Sequence, residues 1–466
     1  MKTQLLALYL LLFVFFVTFS GTTASAPIPV DLMVVNGLIV TMDRGWRVIE
    51  KGTLAIRNGS ILAIGPGAEM KDAYSARQTI NAEGKLVLPG LVNTHTHAAM
   101  TIFRGLSDDL PLDSWLTKHI WPAEAKFITA ETVRTGTNLA LAEMIRSGTT
   151  TFSDMYFFAG EVALAAKKAG VRAVVGEPVI DFPTPGSKTP AESLAITEKL
   201  ALTWKNDPII TISVAPHAPY SCSTETLKLT KKLAEKLDLP LQIHVSETMK
   251  EVNDVKSRFG ATPIEYLDSI GFFGGTVIAA HVVHPTLKEI RLLAEKKVSV
   301  AHNPESNMKL ASGVSPVTEM LKAGVMVGLG TDGAASNNNL NMFEEMNSGA
   351  KLQKVSRLDP TAMNARETLA MATINGATVL GLGDKTGSLE KGKRADLIII
   401  DLKQPHLTPL YNVYSQIVYA VNGSDPETVI IEGRIVMAEK KLLTLDETKI
   451  LEEVTALSEK IRTFKQ

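Results

Sequence analysis

Two kinds of apolar pattern alternate along the chain. Towards each end, short runs rich in β-branched residues are broken by turn residues. LMVVNGLIVTM, GTLAIRNG and SILAIGPG fall between about residues 31 and 80, and ADLIIIDL and TVIIEGRIVM lie near the C-terminus. Runs of this kind ending in Asn-Gly or Pro-Gly predict strands joined by tight turns. The two patches are expected to pair into one small β-domain, split in sequence by what lies between them. There, eight apolar runs occupy residues 87–97, 149–155, 171–181, 209–217, 239–247, 276–284, 298–304 and 325–333. They are nearly continuous rather than alternating, as strands are when both faces of a parallel sheet are covered. The connections, AESLAITEKLALTWK and STETLKLTKKLAEKL among them, place apolar residues at helical i, i+3, i+4 spacing.

Eight strands, each followed by a helix, predict an α/β fold. Its main body is a (β/α)8 TIM-type barrel, and the N- and C-terminal segments form a small β-sandwich beside it. The same periodicity allows an open doubly wound sheet. The expected division is a small β-domain from residues 27–85 and 384–440, a barrel over 86–383 and a C-terminal helix over 441–466.

The first 26 residues follow a third pattern. Lys2 is their one charge, an apolar run extends from Leu5 to Phe19, and the segment closes Thr23-Ala24-Ser25-Ala26. A positive start, an apolar centre and a small-residue end predict a secretory signal peptide and export to a periplasm or the outside. An uncleaved membrane anchor is the alternative, for which the run is slightly short.

Composition narrows the function. Lys+Arg number 48 and Asp+Glu 49, a net charge of −1, which argues against nucleic acid and against a membrane partner beyond the export segment. Cys222 is the single cysteine, so neither a disulfide within the chain nor a Cys-based metal cluster can form. It is expected to be inert. Any metal must be held by His and carboxylate, and seven of the nine His fall at or near the C-terminal ends of the eight runs. In a barrel those ends form the catalytic rim.

His95 and His97 are two apart on one run, so both face the same side. His244 ends another run, with Glu247 three residues on, and Asp332 ends the last. A carboxylate after so apolar a strand is costly to bury without a cation or hydrogen bonds. The string GLGTDG around Asp332 matches a dinucleotide-binding fingerprint by letter only. It comes last in the barrel, an Asp interrupts its glycines, and no acidic partner follows on a later strand. Three imidazoles and one carboxylate suit one divalent ion per chain, Zn2+ or else Fe2+, with an open position for water. Such an ion makes hydroxide available near neutral pH, which is hydrolytic chemistry.

On these residues the chain resembles the amidohydrolase superfamily, and most the 5-methylthioadenosine/S-adenosylhomocysteine deaminase group. The resemblance runs from about residue 31 to the C-terminus. It is carried by VNGLIVTMD, LPGLVNTHTHAAM, VAPHAPYSCS, IHVSET, AAHVVH, AHNPESNMKLASG, GTDGAASNNNLNMFEEM and GSLEKGKRADLIIID. It implies metal ligation by His95, His97, His244 and Asp332. Glu247 would protonate the ring nitrogen beside the attacked carbon, and His281 with Asp332 would orient the hydroxide and move protons to the leaving ammonia. His217 and Glu124 would hold a purine nucleoside, Glu124 by bridging its ribose hydroxyls, with His302 on the rim and His284 structural.

The implied substrates are 5-methylthioadenosine, adenosine and, with less support, S-adenosylhomocysteine. Some members place an arginine after the third barrel strand to grip the amino-acid tail of S-adenosylhomocysteine. Here Glu177 stands in AVVGEPVIDFP, and an acid is expected to repel that tail. The competing expectation is a related hydrolase of guanine, cytosine or a triazine, including chlorohydrolases. For a homo-oligomer, the amphipathic tail LTLDETKILEEVTALSEKI is a candidate element, with packing on its own domain the simpler expectation.

Overall fold

The computed structural model describes residues 26–70 and 72–463. The expected signal peptide, apart from Ala26, lies outside the described residues. Among them, the eight runs form parallel strands: Leu91–Thr96, Thr149–Met155, Arg172–Gly176, Ile210–Ile212, Leu241–Val245, Val277–His281, Ser299–His302 and Val327–Leu329. The first four pair in sequence order, and so do the last four. Two parallel bridges, Val214 with Leu241 and Thr96 with Asp332, sew the halves together, so the sheet closes into a barrel. At the second seam the Asp332 amide donates to the His95 carbonyl at 2.9 Å.

The expected run over 87–97 divides at Gly90. Lys85–Pro89 pairs with Leu397–Asp401 in the small sheet, whereas Leu91–Thr96 pairs with Thr149–Met155 in the barrel. A Cβ at Gly90 would lie 2.1 Å from Thr150 side-chain atoms, so the crossing between sheets requires a residue without one. Continuous hydrophobicity concealed this break, because both halves of the run are buried.

Both chain ends build the small sheet, as expected. Ile28–Val40 pairs with Val48–Arg57, Tyr74–Asn81 and Lys85–Pro89, and Leu397–Asp401, Pro426–Ile431 and Arg434–Ala438 extend the path. Leu32, Val34, Leu54, Ile56, Leu397 and Ile399 share one buried core. The helices on the barrel begin where capping residues stand. Thr129, Ser223 and Thr286 each accept a backbone N–H of the first turn. The C-terminal helix Glu447–Arg462 lies on Ala130–Arg146, where Arg146 makes two 2.6 Å bonds to Glu447. Among the described residues no helix is long and apolar enough to cross a membrane.

One buried ion-pair cluster joins the sheet to the barrel. Arg172, on the third barrel strand and 2% exposed, bonds Asp396 at 2.8 and 3.2 Å, Glu432 at 2.6 Å and the Pro208 carbonyl at 2.7 Å. Asp396 also accepts from the Glu432 amide at 2.7 Å and Thr386 Oγ1 at 3.1 Å. Removing one member strands a buried charge, which costs about 3–5 kcal/mol. Asp396→Ala should therefore lower stability by roughly that amount, read as a shift in the chemical-denaturation midpoint. A loss under about 1 kcal/mol would show that the cluster is no clasp.

Candidate active site

The strand ends converge as the histidine positions implied. The ring centroid of His95 is 4.9 Å from that of His97, 4.8 Å from His244 and 5.6 Å from His281. Asp332 closes the cluster, its Oδ1 standing 3.2 Å from His97 Nε2 and 3.5 Å from His95 Nε2. Two overlapping donor sets result, His95/His97/Asp332 and His95/His244/His281, each with ligand atoms within 4.8 Å of one another. Glu247 approaches from the side, with Oε2 3.9 Å from His281 Nε2. Ser246, His281 and Asp332 adopt left-handed backbone, with φ of 52°, 72° and 59°. Strain of this kind at non-glycine residues gathers at functional sites.

Outer partners orient each donor. His97 Nδ1 lies 2.7 Å from the Met155 carbonyl and His244 Nδ1 2.7 Å from the His217 carbonyl. A carbonyl can only accept, so both Nδ1 atoms carry a proton, and each ring turns its Nε2 inwards, where it can bind a cation or, in its absence, take up a proton. Ser306 and Ser336 donate to Asp332 Oδ2 at 2.7 and 2.8 Å, leaving Oδ1 towards the histidines. His281 Nδ1 is 2.9 Å from Asn307 Oδ1. His95 Nε2 is buried and makes no hydrogen bond. A buried ring nitrogen without a partner, beside two further inward-facing Nε2 atoms and a carboxylate, fits a divalent cation. Gly330 permits the close fit, since a Cβ there would lie 2.4 Å from Asn303 Oδ1 and 2.8 Å from the His95 amide.

His97, His244, His281 and Asp332 of the cluster line a partly open cavity. Its polar wall carries Glu124, Tyr156, His217, Glu247, His281 and Asp332, and its apolar wall includes Trp115, Leu116, Trp121 and Leu310. Glu124 lies on the helix Trp121–Phe127, buried, and accepts from the Tyr156 hydroxyl at 2.6 Å. His217 Nδ1 is 2.8 Å from Ser221 Oγ.

Burial dominates the electrostatics. It drives His217 down to about 3 and His244 well below the usual imidazole range, so both are neutral in ordinary buffers. Burial raises Glu247, and raises Glu124 to about 7 against the opposing Tyr156 hydrogen bond. Asp332 and His97 run the other way. Burial opposes the charged form of each, but their mutual attraction outweighs it, holding Asp332 well below the carboxylate range and raising His97 to about 9.

Two expectations require correction. His302 is fully buried, lines no part of the cavity, and has neither ring nitrogen hydrogen-bonded. Glu177 also stays off the wall. Its carboxylate accepts the Phe158 and Ala159 amides at 3.3 and 2.8 Å, at the start of the helix Ala159–Ala169. The argument that Glu177 repels an anionic tail therefore lapses. Cys222 is buried with its thiol pushed up to about 11 by burial, and His284 Nε2 sits 2.6 Å from the Ser312 carbonyl; neither joins the donor cluster.

Tyr156, Ser306, Ser336, Asn307 and Glu251 were not singled out in the sequence. Tyr156 directly follows the second barrel strand, so the strand-end rule that flagged the histidines could have found it.

Fold and site together define a class: (β/α)8 proteins that gather imidazole and carboxylate donors for a divalent cation at the C-terminal rim, beside acid–base groups. Within that class the chain belongs to the amidohydrolase family, whose model matches residues 86–436. The chain is 50% identical over 432 residues to a 5-methylthioadenosine/S-adenosylhomocysteine deaminase of Syntrophobacter fumaroxidans, covering 93% of this chain and 98% of that one. It is 47% identical over 433 residues to a 5'-deoxyadenosine deaminase of Methanosarcina mazei, covering 92% and 98%. A crystal structure of an adenosine deaminase from Xanthomonas campestris with bound zinc superimposes with a TM-score of 0.93 at 41% identity, covering 94% of this chain and all of that one.

Proposed function

We propose that the protein is a metal-dependent aminohydrolase that removes the ring amino group of an adenine-type nucleoside as ammonia, leaving the inosine-type product. The carrying observation is that one cavity holds both the His/Asp donor cluster with Glu247 and the Glu124–Tyr156 pair. In this reading His95, His97, His244 and Asp332 hold the cation, with Zn2+ the ion of choice for three nitrogen donors and one oxygen. The naming of related deaminases for 5-methylthioadenosine, 5'-deoxyadenosine and adenosine supports the substrate class.

A divalent cation supplies Lewis acidity and lowers the pKa of water at the site. The chain's own groups do the rest. Glu247, kept protonated by burial to a higher pH than an ordinary carboxyl, donates to the ring nitrogen beside the carbon that water attacks. His281, with Nε2 3.9 Å from Glu247 Oε2, and Asp332 take the two protons of the water, return one to the departing amine and pass the other back to Glu247. The ring exchanges NH2 for oxygen and ammonia leaves. Neutral His217 and Glu124 hold the nucleoside, and the apolar wall of Trp115, Leu116 and Trp121 excludes water.

A screen of adenosine, 5-methylthioadenosine, S-adenosylhomocysteine, guanine, cytosine and triazines, scored by ammonia release, tests this. Turnover should be confined to the nucleosides. Faster turnover of a free base or a triazine would overturn the reading. The leader over residues 1–26 extends the proposal to an exported enzyme acting on scavenged nucleoside. Sequencing the N-terminus of the mature protein checks this, and a protein still beginning at Met1 would refute cleavage.

A further inference from the structure

We propose that Glu345 is a positioning residue: it braces Asp332 from two directions at once and so sets how tightly the donor cluster holds its cation. The inference rests on the metal-site reading above. Glu345 lies outside the donor cluster and the cavity wall, fully buried in the first turn of the helix Met342–Arg357. Its Oε1 accepts from Asn337 Nδ2, and its Oε2 accepts the Glu305 amide at 3.2 Å. Both contacts lead to Asp332. Asn337 Nδ2 also donates to the Thr331 carbonyl at 2.8 Å, so it holds the peptide that enters Asp332. Glu305 adjoins Ser306, whose hydroxyl donates to Asp332 Oδ2 at 2.7 Å. One carboxyl therefore secures the backbone of Asp332 through the loop after the eighth barrel strand, and its side chain through the helix after the seventh.

Asp332 needs such a brace. Its backbone is left-handed, with φ of 59°, and a non-glycine residue keeps that conformation only where its surroundings over-determine it. Its Oδ1 must also stay on the histidine side, 3.2 Å from His97 Nε2. Partners beyond the ligands themselves orient them and tune metal affinity. The choice of residue points the same way. The charged groups acting on Glu345 are Glu305 and Asp332, both acidic, so no cation offsets its burial. A carboxyl is a costly way to fill space there. What it offers is two acceptor oxygens for two N–H groups arriving from different loops. Ser348, on the next turn of the same helix, donates to Glu305 Oε1 at 2.7 Å and steadies that arm.

Glu345→Gln keeps the volume but turns an N–H group towards one of the two donors. The Zn2+ affinity of the full chain, read by competition with a chelating indicator, should weaken about tenfold. At saturating Zn2+, kcat on adenosine should fall about three- to tenfold, with KM within about twofold of the wild type. A residue that merely filled space would lower the chemical-denaturation midpoint and leave Zn2+ affinity alone. Ser306→Ala should also weaken Zn2+ binding, and in the double variant the two losses should fall short of multiplying, because they share a path to Asp332. Asn337→Ser cuts the other arm and carries the test should Glu345→Gln not fold. Zn2+ affinity within about twofold of the wild type in either arm's variant, or losses that multiply in full, would overturn the inference while the metal reading stands. A wild-type chain that retains no Zn2+ overturns the metal reading, and this inference with it.

Discussion

Exhaustive chelation is expected to abolish ammonia release, by at least about a thousandfold, and one equivalent of Zn2+ per chain should restore it. The His95→Ala variant should fail both to retain the metal and to regain activity. The expectation rests on how little else the cluster can do. His95 Nε2 is buried with no hydrogen-bond partner, 3.5 Å from Asp332 Oδ1. His97 and His244 spend their Nδ1 protons on the carbonyls of Met155 and His217 and turn their Nε2 atoms inwards. Without a cation the cluster instead takes up a proton, and Asp332 raises His97 to about 9. A cation must displace any proton held between Asp332 and His97, so apparent metal affinity should weaken as pH falls. Metal content measured by atomic spectroscopy across pH reads this independently of turnover. Full activity with less than about a tenth of an equivalent of metal would remove the basis for the hydrolytic assignment.

The candidate donor residues were legible as a cluster because a parallel barrel imposes a simple rule, that side chains at the C-terminal strand ends share one rim. His95, His97, His244, His281 and Asp332 lie at or near the C-terminal ends of four apolar runs, and the structure brings their rings and carboxylate within one cluster. The rule is one-dimensional, and it fails where depth matters. His302 ends a strand in the same way but is fully buried and lines no part of the cavity, and nothing in VSVAHNP encodes that difference. Glu177 was misjudged for a related reason. Its distance from the third strand was right, but whether it caps the helix Ala159–Ala169 or faces the cavity depends on backbone beyond the strand. Gly90 went unseen as a break because hydrophobicity reports burial and not which sheet does the burying. Tyr156 was overlooked because an aromatic residue after an apolar run looks like core until its hydroxyl is seen to meet Glu124.

Replacing Glu247 with Gln should cost about a hundred- to ten-thousandfold in kcat while leaving the metal content intact. The two outcomes separate because Glu247 belongs to neither donor set, although it lies 3.9 Å from His281. Its backbone is held apart from the cluster by Glu251, which accepts the amides of Ser246 and Glu247 at 2.9 and 2.7 Å. Gln keeps the shape and can still donate a hydrogen bond, but it has no proton to transfer to a ring nitrogen. The pH profile supplies a sign. Burial raises the Glu247 carboxyl above its ordinary value, so the acid form persists at higher pH and activity should fall as pH rises through the raised pKa. That alkaline limb should be present in the wild type and absent from the residual activity of Glu247→Gln. A loss under about tenfold, or a loss that tracks departing metal, would move the acid role to His281, the other proton carrier within reach. With the metal retained and the limb gone, the proton donor is fixed as a group that needs no place among the ligands, because the strand carrying His244 ends just before it.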